Sequence, residues 1–284
     1  HPHADSPRET SNFMASSPIA TTPPRGDLYD CLVISDLHLG SEVCQAKLLE
    51  EFLSWAVERT RVLVINGDIF DDLNFKRLTK RHFACLKIIR RNSDREDFKL
   101  IWVRGNHDGP ADIVSHIVGV EILDEYVYRN EQLALLIIHG DQFDHFMTRY
   151  QWLTDIACGI YYFIQRMAPH SASRWIRRIS KRFQRNSELI QRSASEYARG
   201  KGFRYVTCGH THLPLTAEED GVTYLNSGTW TEAAPCPFVA VRGERIGLER
   251  WPDVLEPSKP ALDSSVSASP MPEAAEAFSP MLTK

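Results

Sequence analysis

The sequence predicts a layered α/β fold, in which two packed sheets are flanked by helices and carry a helical insert. The first indication is a set of short, β-branched apolar runs bounded by glycine or polar residues, as buried strands are. The second is that helical apolar stripes alternate with these runs, which is typical of layered α/β packing. The third is that a polar motif directly follows each of five runs. These runs are residues 31–34, 62–65, 100–103, 133–138 and 205–208.

Two helices are predicted between the early strands. Residues 42–59 and 75–91 each place apolar side chains three or four positions apart, which gives one apolar face per helix. Further strands are predicted near the end of the globular part. They cover residues 222–225, 238–241 and 247–251, and the last two are joined as a hairpin through residues 242–245.

The polar motifs after the strands carry oxygen and imidazole donors. Side chains two positions apart in an extended chain point to the same face, so the pair Asp36 and His38 and the pair His210 and His212 can each reach one small volume. Residues that follow buried strands gather at one edge of a sheet, where α/β proteins build their sites. The motifs are Asp36-Leu37-His38, Gly67-Asp68, Gly105-Asn106-His107-Asp108, His139-Gly140-Asp141 and Gly209-His210-Thr211-His212.

These donors suit a pair of divalent metal ions. Carboxylate, imidazole and amide donors without thiolates favour manganese, iron or zinc in a hydrolytic site over a structural zinc site. Two ions can be held if one carboxylate bridges them, and paired catalytic ions favour phosphate and lower the pKa of bound water towards about 7. Phosphoester hydrolysis is therefore the predicted reaction class. The seven candidate ligands are Asp36, His38, Asp68, Asn106, His139, His210 and His212.

With these motifs in this order, residues 28–250 resemble the calcineurin-like metallophosphoesterases. The resemblance implies a metallophosphoesterase sandwich with two metal ions, one held by Asp36, His38, Asp68 and His212, the other by Asp68, Asn106, His139 and His210. It also implies that His107 contacts the substrate phosphate or protonates the leaving oxygen, and that Asp108 orients His107. Manganese is the expected metal, with iron and zinc as alternatives.

The segment between His139 and His210 predicts a helical, basic insert. Apolar residues at helical spacing predict one helix near residues 152–167, a second near 175–183 and a third near 187–197. Residues 149–204 carry twelve basic and three acidic residues, in a chain with a net charge of -4. Such an insert suits either a lid that binds an anionic lipid or rests on an anionic membrane, or a solvated basic surface. The substrate-binding candidates there are Arg149, Arg177, Arg178 and Arg182, because arginine pairs well with phosphate.

Within the family, the opening motif, the Gly-Asp-x-Phe motif and the basic insert look like UDP-2,3-diacylglucosamine diphosphatase, which cleaves a diacylated UDP-sugar. His107 stands where that enzyme typically has arginine, and the segment 226–230 is more like generic phosphoesterases. An amphiphilic phosphate-containing substrate is therefore predicted. Two alternatives stay open: a phosphatase or phosphodiesterase for soluble phosphoesters or phosphoproteins, and a non-catalytic interaction module.

Composition bounds the remaining predictions. A chain of 284 residues with 43% hydrophobic content can bury a full core, and its charge gives no argument for nucleic acid. Six cysteines without regular spacing predict a reducing cytoplasm, with peripheral attachment to the inner face of the membrane as an extension. The predicted domains are a core at 28–148 and 205–251, the insert at 149–204, and disordered tails at 1–27 and 252–284. The oligomeric state stays open.

A few polar residues near the motifs have two readings. Asn226 is a candidate for shaping the substrate pocket, although asparagine at a strand end is often structural. The acids Asp71, Asp72, Asp141 and Asp144 suit either a supporting position around the metals or an ordinary solvated or helix-capping role. Lone histidines outside the motifs are expected to be structural or surface residues. Examples are His82, His116 and His170.

Overall fold

The computed structural model describes residues 28–109, 115–116, 119–144 and 172–255, with side chains of the last range described from residue 184. The predicted tails, apart from residues 252–255, lie outside these ranges, and so do Arg149 and the predicted helix at 152–167. The side chains of Arg177, Arg178 and Arg182 also fall outside the description. No helix in the described part of the chain is long and apolar enough to cross a membrane.

The first sheet is mixed and contains six strands. Its strands are β1 Cys31–Ile34, β2 Val62–Asn66, β3 Lys99–Val103, β4 Ile122–Leu123, β10 Cys236–Arg242 and β11 Arg245–Trp251. The order across the sheet is β11-β10-β1-β2-β3-β4. Strands β1 to β4 run parallel, while β10 is antiparallel to both β1 and β11. The carboxyl ends of β1, β2 and β3 therefore lie at one edge.

The second sheet contains five strands. They are β5 Tyr126–Arg129, β6 Ala134–Ile137, β7 Tyr205–Cys208, β8 Leu215–Glu219 and β9 Val222–Asn226. Their order is β5-β6-β7-β9-β8, in which β6, β7 and β9 are parallel and the two outer strands are antiparallel to their neighbours. This sheet also presents the carboxyl ends of its parallel strands at one edge.

Three hydrophobic clusters show a four-layer sandwich. The middle cluster joins alternate residues of the two sheets, such as Val33 and Val64 with Leu135 and Ile137. A second cluster joins the other face of the first sheet to α1 Ala46–Arg59 and α2 Lys80–Asn92. A third joins the second sheet to α3 Ala172–Gly200. The predicted layered α/β fold with two packed sheets and flanking helices is confirmed.

The helices differ in detail from the prediction. Helix α3 is continuous from residue 172 to residue 200, whereas two separate helices were predicted for this stretch. No glycine or proline interrupts residues 184–186, so nothing in the sequence ends the helix there. The side chains of Ala194 and Ala198 are buried against the second sheet, and that of Ile190 is also fully buried. The last part of α3 thus belongs to the layered core, and the lid prediction concerns the residues before it.

His82 has the structural role expected of a lone histidine. Its backbone N–H donates to the Thr79 hydroxyl, and its Nδ1 accepts from the backbone N–H of Thr79, which forms a reciprocal cap at the start of α2. The same Nδ1 accepts from the N–H of Gly40, at 3.2 Å. Burial lowers the pKa of this imidazole. His82 thereby ties α2 to the loop that follows His38.

Candidate metal centre

Five strands from two sheets deliver their following residues to one place. Asp36 and His38 follow β1, Asp68 follows β2, and Asn106 follows β3, all in the first sheet. In the second sheet His139 follows β6, and the pair His210 and His212 follows β7. Because the sheets pack face to face, their carboxyl-end edges lie side by side.

The first group of donors contains Asp36, His38 and His212, whose possible ligand atoms lie within 4.8 Å of one another. The His212 Nε2 atom is 3.0 Å from Asp36 Oδ1 and 3.3 Å from His38 Nε2. Donor atoms at this spacing can share one ion, because ligands bound to one metal at about 2.0–2.2 Å lie close to each other.

The second group contains Asp68, His139 and His210, again within 4.8 Å of one another. The His139 Nε2 atom lies 3.4 Å from Asp68 Oδ2, and the same Asp68 oxygen lies 4.0 Å from His38 Nε2 of the first group. Asp68 is thus the carboxylate between the two groups. The seventh candidate, Asn106, places its Oδ1 3.0 Å from His210 Nδ1. The structure therefore brings all seven predicted ligands together.

The donor atoms fit divalent cations. Asp36 Oδ1 and His139 Nε2 are buried, and within the described residues neither makes a well-aligned hydrogen bond, although His212 Nε2 lies 3.0 Å from the first atom and Asp68 Oδ2 lies 3.4 Å from the second. Buried polar atoms with incomplete hydrogen bonding are costly, and a cation bound between these donors would remove that cost. The donors are oxygen and nitrogen only, which matches the ions predicted from the sequence.

The backbone at the centre adopts an uncommon conformation. The φ angles of Asp36, His38, Asp68, His210 and His212 lie between 46° and 61°, in the left-handed region that non-glycine residues rarely occupy. Such strain occurs mainly at functional sites, where the surrounding structure holds it in place. Five of the seven candidate ligands share this feature, and among the described non-glycine residues only Asp220, in the turn between β8 and β9, shares it with them.

Glycines precede three of the ligand motifs because nothing larger fits. A Cβ at Gly67 would lie 2.2 Å from the His139 ring, and a Cβ at Gly105 would lie 2.2 Å from Asp68 Oδ1. Gly67 also has a φ of +83°. These glycines allow one strand end to pass against the ligand of another.

The charges of the ligands depend on one another. Burial alone would raise the pKa of Asp68, but the neighbouring imidazoles of His139, His107 and His38 outweigh it, and the pKa is lowered. Burial alone would lower the pKa of His139, but Asp68 raises it well above its usual value. The centre therefore keeps its carboxylates ionised, as cation ligands must be.

Asp108 has a different partner from the one expected. Its carboxylate accepts hydrogen bonds from the backbone N–H groups of Asp68, Ile69 and Gly105 and from the indole of Trp102. It is fully buried, and burial raises its pKa to about 6. The described contacts do not include the His107 ring, so the expectation that Asp108 orients this imidazole is corrected. Asp108 instead fixes the loop that carries Asp68.

His107 is held by Asp71. The His107 Nδ1 atom lies 2.8 Å from the backbone carbonyl oxygen of Asp71, and the Asp71 carboxylate lies 3.5 Å from His38 Nδ1. Arg77 binds this carboxylate at 2.7 Å and that of Asp72 at 2.6 Å. Of the two readings of Asp71, the structure favours support of the centre. Asp72 is more exposed, and its described ion pair is with Arg77.

Asn226 is a structural residue. Its side-chain amide donates to the Gly209 carbonyl at 2.7 Å and to the Thr211 hydroxyl at 3.0 Å, while its oxygen accepts from the N–H of Gly228 at 2.9 Å. It is only 1% exposed. The substrate-binding assignment of Asn226 is therefore wrong: its polar atoms hold the loop with His210 in place, which the sequence could not distinguish from a pocket role.

Asp144, for which the sequence left a supporting role and a solvated role open, also lies at the centre. Asp144 is buried and places its Oδ2 3.0 Å from His210 Nε2. Its position five residues after His139 was a weak signal, since only the fold brings it to His210.

Residues 30–214 match the profile of the calcineurin-like phosphoesterases. The chain belongs to this family. No curated relative matches the sequence.

The chain resembles a large number of solved structures at low sequence identity, and three of them serve as examples. A predicted phosphoesterase from Streptococcus pneumoniae is 16% identical, with 78% of this chain and 88% of that chain covered and a TM-score of 0.40. The phosphoesterase YfcE from E. coli is 14% identical, with 76% and 90% covered and a TM-score of 0.43. Vps29 from Entamoeba histolytica, in complex with Zn²⁺, is 16% identical, with 78% and 97% covered and a TM-score of 0.40.

Family membership and the two donor groups together indicate a metal-dependent phosphoester hydrolase. The family binds two divalent ions, and the described residues offer one donor group for each. The predicted reaction class and the predicted pair of divalent cations are supported at this level.

Proposed function

We propose that this calcineurin-like phosphoesterase hydrolyses a phosphoester or pyrophosphate bond in an anionic lipid, with UDP-2,3-diacylglucosamine as the leading candidate and manganese as the metal. The observation that carries the hydrolytic part is the meeting of seven oxygen and nitrogen donors from two sheets, with Asp68 between the two groups. A second candidate function is hydrolysis of soluble phosphoesters or phosphoproteins by the same centre.

The residues have distinct roles in this proposal. Asp36, His38, Asp68 and His212 hold one ion, and Asp68, Asn106, His139 and His210 hold the other. When bound, the ions supply positive charge for the phosphate oxygens and acidify bound water. His107 has its Nδ1 occupied by the Asp71 carbonyl, so its Nε2 contacts the phosphate or protonates the leaving oxygen. Asp108 contributes by fixing the loop with Asp68 rather than by contact with substrate.

Apolar side chains near the centre support an amphiphilic substrate. Leu213 directly follows His212 and is 38% exposed, and Leu73 is 45% exposed with its side chain against Gly109. Phe75, which follows Asp71 by four residues in the chain, is also exposed. Apolar side chains left in solvent beside a phosphate-binding centre suit a substrate that has acyl chains next to a charged head group.

The charge of the insert supports the same proposal. Residues 149–204 have nine more basic than acidic residues. Near the end of α3, part of this positive charge is neutralised by acidic residues of β8 and of the turn after it, because Arg192 pairs with Glu219 and Arg199 pairs with Asp220. The basic residues earlier in the insert, including Arg149, Arg177, Arg178 and Arg182, are the proposed contacts for the anionic head group or for an anionic membrane surface.

Hydrolysis and metal dependence are tested at the ligands. Asp68→Ala and His210→Ala should lose at least about 100-fold in hydrolysis of a nitrophenyl phosphodiester and bind fewer manganese ions, since Asp68 is a ligand to both ions and His210 is a ligand to one. Glu96→Ala, at an exposed position on the same chain, is the control. Full turnover in both ligand variants would refute the two-metal assignment. Absence of metal binding and of activity in the wild type would favour a non-catalytic interaction module.

The substrate class is tested with four compounds: a nitrophenyl monoester, a nitrophenyl diester, a UDP-sugar and its diacylated form. The proposal expects the diacylated UDP-sugar to have the highest kcat/KM. Replacing Arg177, Arg178 and Arg182 by Ala together should reduce its turnover at least about tenfold more than that of the diester. The control removes three exposed arginines elsewhere: Arg61, Arg91 and Arg250. Equal losses on the two substrates would favour the soluble-substrate function.

A further inference from the structure

A short chain of polar contacts links helix α3 to the metal centre. Asp144 follows the single helical turn Asp141–Phe143 and is 2% exposed. Its Oδ2 lies 3.0 Å from His210 Nε2 and accepts a hydrogen bond from the Asn186 side chain at 2.9 Å. Asn186 lies on α3, so the helix reaches the candidate ligand His210 through one buried carboxylate.

The two ring nitrogens of His210 have different surroundings. Nδ1 lies 3.0 Å from Oδ1 of Asn106, which is a proposed ligand of the same ion as His210. Nε2 faces the Asp144 carboxylate. An imidazole can bind a metal through one nitrogen while the other donates its N–H to a carboxylate, and that hydrogen bond fixes the tautomer and the ring orientation. The arrangement therefore assigns Nδ1 to the metal and Nε2–H to Asp144.

We infer that Asp144 and Asn186 are positioning residues for the metal centre: Asp144 orients His210 for binding through Nδ1, and Asn186 holds Asp144 from α3. This rests on the two-metal assignment of the proposed function.

The position of α3 is set independently of this contact. Ala194 and Ala198 are fully buried against the second sheet, two and three turns beyond Asn186, and Ile190, one turn beyond Asn186, is fully buried as well. A helix held by such packing presents Asn186 at a fixed place, which is what a residue that orients a ligand requires. Helix α3, which carries eight basic residues, is thereby connected to a ligand of one ion.

The test measures metal binding directly. Co²⁺ binding to the full-length metal-free protein is followed by equilibrium dialysis and by the visible absorption of bound Co²⁺, with no substrate present. Asp144→Ala should weaken one of the two binding events by about 10–100-fold and leave the other unchanged, as loss of a carboxylate partner of a ligating histidine does. Asp144→Asn, which keeps an acceptor oxygen, should show a smaller loss and an altered spectrum. Asn186→Ala should weaken the same event by less than Asp144→Ala.

The matched control is Gln191→Ala. Gln191 lies on the same helix and also donates an amide hydrogen bond, at 2.9 Å, to a carboxylate, but its partner Glu219 is outside the centre. This variant should bind both ions as the wild type does. Thermal unfolding of the metal-free forms separates loss of positioning from loss of fold. If Asp144→Ala does not fold, Asp144→Asn and Asn186→Ala decide the question.

Two results overturn the inference in distinguishable ways. If the wild type binds two ions and the folded Asp144 and Asn186 variants bind both with unchanged affinity and spectrum, the inference fails while the proposed function stands. If the wild type binds no ions, the proposed function itself fails, and the inference fails with it.

Discussion

Replacement of Gly209 by Ala should disable the metal centre while leaving the fold. A Cβ at this position would lie 2.4 Å from Asp36 Oδ2 and 2.6 Å from Ser35 Oγ. Both side chains are fully buried. The Ser35 hydroxyl donates to the Gly228 carbonyl at 2.9 Å, and the same Asp36 oxygen accepts from the N–H of His210 at 3.1 Å. Neither side chain can move without breaking a hydrogen bond at the centre.

The size of the effect follows from these distances. Ordinary contact with a Cβ begins at 3.4 Å, so the Asp36 carboxylate must move by about 1 Å. Displacement of a catalytic or ligand group by that amount reduces rates by about 100-fold. Overpacking at a buried site costs about 1–3 kcal/mol of unfolding free energy, which a family member with three hydrophobic clusters can lose and still fold. Gly209 has no positive φ, so the clash alone causes the effect.

The assay compares hydrolysis of a nitrophenyl phosphodiester, manganese content and thermal unfolding in Gly209→Ala and in Gly247→Ala. A Cβ at Gly247, on β11, meets nothing within 4 Å, and this glycine also lacks a positive φ. The control should keep wild-type activity. The reasoning is refuted if Gly209→Ala keeps activity within about twofold of the wild type, or if Gly247→Ala loses as much.

Three further predictions concern the ions, their supporting carboxylates and the thiols. Removing the metal by chelation should lower the unfolding free energy by about 3 kcal/mol per ion relative to metal at 100-fold above Kd, seen as a lower Tm that excess manganese restores; an unchanged Tm would contradict this. Asp71→Ala should weaken metal binding about tenfold or more because Asp71 contacts His38, whereas Asp72→Ala, which shares only Arg77, should not; equal effects in calorimetric titrations would refute the distinction. In a Cys158→Ser variant, native protein at pH 8 should react slowly with a thiol reagent, and rapid labelling before unfolding would contradict it. Burial raises the pKa of Cys44 and Cys85 to about 12 and of Cys236 to about 11, and raises the pKa of Cys31 and Cys208 as well.

The short-range features of this chain were predictable. Five buried strands and the hairpin of β10 and β11 follow from apolar runs and their boundaries, because strand formation depends on neighbouring residues. The short strand β4 and the outer strands β5 and β8 were not predicted. β8 has a mostly exposed sequence, Leu215–Glu219, and is a strand only because β9 offers it a partner. The break predicted within α3 does not exist, because the apolar spacing weakens near residues 184–186 but no glycine or proline ends the helix there.

The sequence by itself determined which donor groups are available and which metal chemistry they allow, because the ligand residues follow the predicted strands within a few positions. Only the tertiary structure decided what the supporting polar groups bind. Asp108 accepts hydrogen bonds from backbone N–H groups, and Asn226 binds the loop that carries His210. Asp144 contacts both His210 and Asn186. A carboxylate or an amide can take many partners, and its actual partner depends on which distant segments the two packed sheets bring within about 3 Å, a distance that no local pattern encodes.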